Sequence, residues 1–154
     1  MVIDPGVLSR SLSCALAALH GRAFAGHARG WSADEITGLA TCPGVLLIVD
    51  DDASPSGFSL FRQVSEEAEL LTLAVDPEIW NNGLGRALVI EGCRALLAHG
   101  CDFVFLEVAR GNDRAISLYG SIGFLVTGER RNYYNAGETG TAYLMRLSLS
   151  SFIS

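Results

Sequence analysis

Glu107 falls within the apolar run DFVFLEVA (102–109), where two-residue alternation puts it on one strand face with Phe103 and Phe105. A carboxylate there would be partly desolvated, which favours its protonated form and makes it a stronger base. Proton transfer is most efficient when the base titrates near the working pH. A strand glutamate whose head reaches solvent or meets an arginine fits the same spacing, and the pattern alone leaves both readings open.

A second chemical feature is the loop WNNGLGR (80–86), which has little side chain and lies between an apolar strand, LLTLAVDP, and a helix, RALVIEGCRALLAHG. The first N–H groups of a helix have no intrahelical partner, and the helix dipole adds positive potential there. With Gly83 and Gly85 lacking side chains, a phosphate could approach the backbone closely. That makes Asn81, Asn82, Gly83, Leu84, Gly85 and Arg86 candidates for holding an anion, beside the plainer reading of a strand-to-helix turn that uses glycine for its geometry. Asn81 and Asn82 suit left-handed backbone angles. A Walker loop is excluded because Gly85 is followed by Arg-Ala, and a dinucleotide fingerprint because Leu88 stands where its third glycine belongs. A third candidate is Tyr119, on the apolar face of a later helix with Ala115, Leu118 and Ile122, where it is either core or a proton donor.

The elements that must position these groups follow from periodicity. Helices are expected over 11–24 and 32–41, the second with Ser32 and Glu35 as a capping box. VLLIVD (45–50) and GFSLFRQV (57–64) form a hairpin around the SPSG turn, and EAELLTLAVDP (67–77) is a longer strand stopped by Pro77. The helix after the glycine loop ends near Gly100; the strand of Glu107 follows, then a helix capped by Asn112 or Asp113 and closed by Gly123. Strands at 124–134 and 141–149 complete the chain, and MVID at the start could be a short edge strand. The order α-α-β-β-β-α-β-α-β-β indicates an α/β (α+β) fold with a mixed, mostly antiparallel sheet carrying packed helices, not a doubly wound parallel sheet.

The chain has 154 residues, 49% hydrophobic and 18% charged, enough for one domain with a sizeable core. A net charge of −6 argues against general nucleic-acid binding and leaves room for a basic peptide. No apolar run reaches the roughly 18 residues needed to span a bilayer, and the opening MVIDPGVLSRS lacks a signal-peptide layout, so a cytoplasmic protein is expected. Cys14, Cys42, Cys93 and Cys101 form no metal-binding spacing and are expected as free, largely buried thiols. His20 and His27 are read at or just beyond the end of the first helix and His99 near the end of another, with no role.

In order, LLTLAVDP, NNGLGRALV and LEVARGNDRAISLYGSIGF resemble the GNAT superfamily of acyl-CoA N-acyltransferases. Its loop pattern, Arg/Gln-x-x-Gly-x-Gly/Ala, holds the pyrophosphate of coenzyme A on backbone amides. LEV, the Asn-x-x-Ala-Ile-x-Leu-Tyr run, Gly-Phe and RRNYY (130–134) are similar to the ribosomal-protein-alanine N-acetyltransferases, as is AFAGHARGWSADEI near the start. The resemblance is good over 67–147, partial over 15–41, and fades over 45–66. It implies a single GNAT domain over 1–154, with a mostly antiparallel central sheet and helices on both faces. It implies acetyl-CoA as co-substrate, no metal, and an acceptor that is a protein N-terminus, such as a ribosomal-protein alanine.

Residue by residue, the resemblance makes Glu107 the general base and Tyr119 the general acid. It makes Asn112 a cofactor contact, and Leu73, Ala74 and Val75 the segment whose backbone pairs with pantetheine, one N–H facing the thioester oxygen. Trp31, Tyr133 and Tyr134 fall on the acceptor side. Trp80 departs from the pattern, standing where Arg or Gln is usual, so the loop's positive charge falls to Arg86. A small amine or a lysine as acceptor, and a non-catalytic acyl-CoA sensor, are the alternatives; Glu107 and Tyr119 together speak against the sensor.

Overall fold

The computed structural model describes residues 1–26, 28–131 and 140–152. The chain begins with a short edge strand, β1 (Val2–Ile3). Two helices follow, α1 (Arg10–Ala23) and α2 (Ala33–Ala40). Each starts on a serine: Ser9 accepts the Leu12 N–H at 3.0 Å, and Ser32 and Glu35 exchange both bonds of the expected capping box. Then come β2 (Val45–Val49), β3 (Gly57–Val64) and β4 (Glu67–Val75). The helix α3 (Leu84–Ala98), the strand β5 (Phe103–Ala109) and the helix α4 (Asp113–Ile122) alternate. The strands β6 (Leu125–Arg131) and β7 (Thr141–Ser148) close the chain. Gly100 and Gly123 end α3 and α4 with φ of +82° and +122°.

The strands make one seven-stranded sheet in the order β1-β2-β3-β4-β5-β7-β6, antiparallel except between β4 and β5. Helices cover both faces. On one, Leu12, Leu16 and Leu19 of α1 and Ile36 of α2 pack on Leu47, Val49, Phe58 and Leu60. On the other, Leu88, Val89, Cys93 and Leu96 of α3, with Tyr119 of α4, pack on Phe61, Leu70, Val104, Leu106 and Met145. Among the described residues no helix is long and apolar enough to cross a membrane.

Two irregularities in β4 create the site. Leu60 pairs with Thr72 but Phe61 with Leu70, so Leu71 is the extra residue of a β-bulge, a feature that bends the strand and increases its twist. Next to the bulge, the parallel pairing with β5 stops. It spans only Glu67–Phe103, Ala68–Val104 and Glu69–Phe105, although β4 runs on to Val75 and β5 to Ala109. The two strands therefore part, and a gap opens between their C-terminal ends.

The expectation of largely buried cysteines holds for Cys93 and Cys101 but not for Cys14 and Cys42, which are exposed. Cys14 lies on the outer face of α1. Cys42 lies just past α2, where its thiol donates to the Gly38 carbonyl. Burial pushes the Cys93 thiol up to about 12, so it stays protonated and inert.

Candidate active site

The gap is lined on its β4 side by backbone. The Asp76 N–H donates to the Ser56 carbonyl at 2.8 Å, which makes that a hydrogen-bonded antiparallel pair. Bonded and non-bonded pairs alternate, so Gly57–Val75 and Ser59–Leu73 are of the non-bonded kind. Leu73 and Val75 thus turn their amide groups into the gap, while Ala74 turns its own toward β3. Of the three sequence candidates on this strand, two present donors to the opening.

The glycine loop stands at the mouth of the same gap. Gly83 is the N-cap of α3 with φ +91° and no side-chain cap, a conformation that disfavours any residue with a Cβ. Asn81 shares the left-handed region at φ 69°. Asn82 accepts the Leu84 N–H at 3.1 Å, which leaves the N–H groups of Gly85 and Arg86 without an acceptor among the described residues. A Cβ on Gly85 would stand 3.6 Å from Leu73 and Val75 side-chain atoms and 3.4 Å from Leu118, so these free amides lie between the open end of β4 and α4. Arg86 is exposed.

Trp80 walls this mouth. Its indole N–H donates to the Val75 carbonyl at 2.8 Å, and the Arg114 guanidinium lies 3.9 Å from its ring centroid. The sequence reading missed Arg114, which brings positive charge from the first turn of α4 to the loop that lacks it. Asn112 caps α4 by accepting the Ala115 N–H at 3.2 Å. Tyr119, 8% exposed, packs edge-on against Phe124. Burial pushes its phenol up, so it holds its proton at neutral pH. Among the described residues nothing hydrogen-bonds its hydroxyl.

Glu107 lies on the opposite face. Paired residues share a face; Leu60, Thr72, Arg62, Glu69, Phe105 and Leu144 thereby join Glu107 on the α1/α2 side. The Glu107 carboxylate is partly buried, as expected, and of the readings the spacing left open, pairing with an arginine is the one present. Glu107 is 25% exposed, and Nη1 of Arg130 donates to both its oxygens at 3.1 and 3.2 Å. Arg130 reaches it from β6 across β7, passing the small Ala142, its own pairing partner. Glu107 borders a groove of about 490 Å³ lined also by Arg62, Glu69, Phe105, Thr127 and Leu144.

Trp31 lies on this same side, packed against the α1/α2 cluster. His20 stands in the last turn of α1, as expected, but it is 2% exposed beneath Trp31, and burial pushes its imidazole down to about 4. Tyr133, Tyr134 and His27 lie outside the described residues.

A parted pair of parallel strands, free helix-start amides at its mouth and a bulge beside it define an acyl-CoA transferase fold. The description "Acetyltransferase (GNAT) family" matches residues 9–124, and the chain belongs to that family. It is an acetyl-CoA-dependent acetyltransferase. A [ribosomal protein bS18]-alanine N-acetyltransferase of Salmonella typhimurium is 34% identical over 125 residues, covering 80% of this chain and 84% of that protein. Its Escherichia coli K12 counterpart is 42% identical over 96 residues, 62% of this chain and 65% of that one. The crystal structure of the ribosomal-protein-S18-alanine N-acetyltransferase from Escherichia coli superposes with a TM-score of 0.80 at 30% identity, covering 97% of this chain and 93% of that one.

Proposed function

We propose that this enzyme acetylates the N-terminal α-amino group of a protein, an alanine of a ribosomal protein, in the cytoplasm. The observation that carries the reading is the placement of Glu107 and Tyr119 on opposite faces of the sheet beside the gap. The acceptor amine approaches from the groove, where Glu107 takes its proton directly or through one water. The amine nitrogen bonds to the thioester carbon, and the N–H of Leu73 or Val75 stabilises the oxyanion. As the carbon–sulfur bond breaks, Tyr119 gives its proton to the thiolate on the α3/α4 side.

The free amides of Gly85 and Arg86, with Asn81, Asn82, Gly83, Leu84 and Asn112 around them, hold the pyrophosphate end of acetyl-CoA. Trp31, packed on the α1/α2 side, walls the acceptor side. Glu67 and Glu69 at the groove suit a peptide with basic residues after its first alanine. Relatives named for bS18 alanine support this choice of acceptor. The test is to incubate the enzyme with acetyl-CoA and an alanine-starting peptide that also contains lysines, then locate the acetyl group by fragmentation mass spectrometry. It should sit on the α-amine; acetylation of lysine alone, or no transfer at all, would sink the reading.

A further inference from the structure

His20 is a buried titratable group with no part in the chemistry above. It occupies the last turn of α1, sandwiched between the rings of Phe24 at 4.4 Å and Trp31 at 4.7 Å, with interplanar angles of 25° and 17°. Its two nitrogens make two different bonds. Nδ1 lies 3.1 Å from the Trp31 backbone nitrogen and Nε2 lies 3.1 Å from Thr72 Oγ1. A backbone N–H can only donate, so Nδ1 must be the accepting nitrogen. Nε2 then carries the proton and donates to Thr72, which leaves the Thr72 hydroxyl proton turned away from the ring.

Both partners matter for position. Thr72 is on β4 past its last pairing with β5, on the open stretch beside the gap, and on the Glu107 face. Trp31 ends the connection between α1 and α2. That connection is held from a second point as well: a Cβ on Gly30 would stand 2.8 Å from the Cα of Gly21, an approach only glycine permits. The imidazole is thus the one described side chain that bonds the α1–α2 connection to the open part of β4.

We propose that His20 is a positioning residue for the acceptor, fixing Trp31 relative to the open end of β4 and so setting peptide affinity without acting on the donor. This rests on the reading of Trp31 as an acceptor wall. A ring stacked on Trp31 and bonded to its N–H removes the freedom of that indole to turn, so the peptide meets a preformed surface.

The test compares peptide KM, kcat and acetyl-CoA Kd in His20→Leu, His20→Asn, His20→Gln, Trp31→Ala and the His20→Leu/Trp31→Ala double variant. The oxygen of Asn falls where Nδ1 lies and keeps the Trp31 bond; Gln reaches Thr72 and loses it. Losing the acceptor for a buried N–H should raise peptide KM about tenfold in His20→Leu and His20→Gln, with His20→Asn within about threefold and acetyl-CoA Kd within about twofold throughout. The double variant should be no worse than Trp31→Ala alone, because both act through one surface.

A rise in acetyl-CoA Kd parallel to KM would reduce His20 to general stability and overturn the proposal. So would an unchanged KM in His20→Gln while Trp31→Ala is impaired, and this outcome leaves the acceptor-wall reading standing. An unchanged KM in Trp31→Ala, or no transfer to any alanine-starting peptide, removes that reading and the proposal with it. If His20→Leu does not fold, seen as loss of acetyl-CoA binding, the comparison of Asn with Gln decides.

Discussion

On the α3/α4 side of the gap, the groups available to a ligand are mainly backbone: the amides of Leu73 and Val75, and those of Gly85 and Arg86. On the α1/α2 side they are side chains held by other side chains: Glu107 by Arg130, and Trp31 by His20. The first side needs only a bulge, a left-handed glycine and a helix start, all specified within a few neighbouring residues. The second needs partners far apart in sequence to arrive at the same place. A donor site made of backbone tolerates changes such as Trp80, because the indole leaves the amides free while Arg114 brings charge nearby. An acceptor site made of side chains can be respecified one residue at a time.

Four changes would break or sharpen this contrast. The largest effect is expected for Glu107→Gln, which should lower kcat/KM about 10²-fold or more while acetyl-CoA Kd stays put, measured by thiol release and calorimetry.

Next is a pH effect on stability that originates at His20, on the acceptor side. The unfolded imidazole of His20 takes a proton near 6.5 and the folded one only near about 4, held down first by burial, then by Arg29, with Glu35 opposing. Between those values the unfolded state binds more protons, so the contribution is whole above about 6.5 and is lost as pH falls to about 4. It is worth about 3 kcal/mol at most. Urea titrations at pH 7 and 4.5 should show His20→Asn losing less stability than the wild type across that interval.

Gly83→Val forces a β-branched residue to φ +91° and should cost about 1–2 kcal/mol. The loss should appear in acetyl-CoA affinity, leaving peptide KM unchanged. Asn112→Ala removes the α4 cap and should cost about 1 kcal/mol of stability by thermal melt, with a small rise in acetyl-CoA Kd.

The same contrast explains what could be read from the sequence. The bounds of β3, the capping box at Ser32 and the left-handed Asn81 follow from local rules and agree with the structure, whereas Asn82 is not left-handed and instead caps Leu84 with its side chain. The Glu107–Arg130 pair could not be read this way. It depends on β7 inserting between β5 and β6, and strand order is a long-range property that two-residue alternation does not carry. Alternation placed Glu107 on the right face with Phe105 but could not say that this face would be a groove and not a helix contact. His20 was passed over because one histidine in a helical run gives no local sign that Trp31 and Thr72 will close on it. Arg114 was missed for the same reason.

The most direct measurement takes one preparation each of wild type, Glu107→Gln and Tyr119→Phe and records acetyl-CoA binding by calorimetry and thiol release with an alanine-starting basic peptide. The expected result is unchanged binding in all three, with release reduced about 10²-fold or more in each variant. Full release from either variant with binding intact would contradict a base and an acid working from opposite faces of the gap.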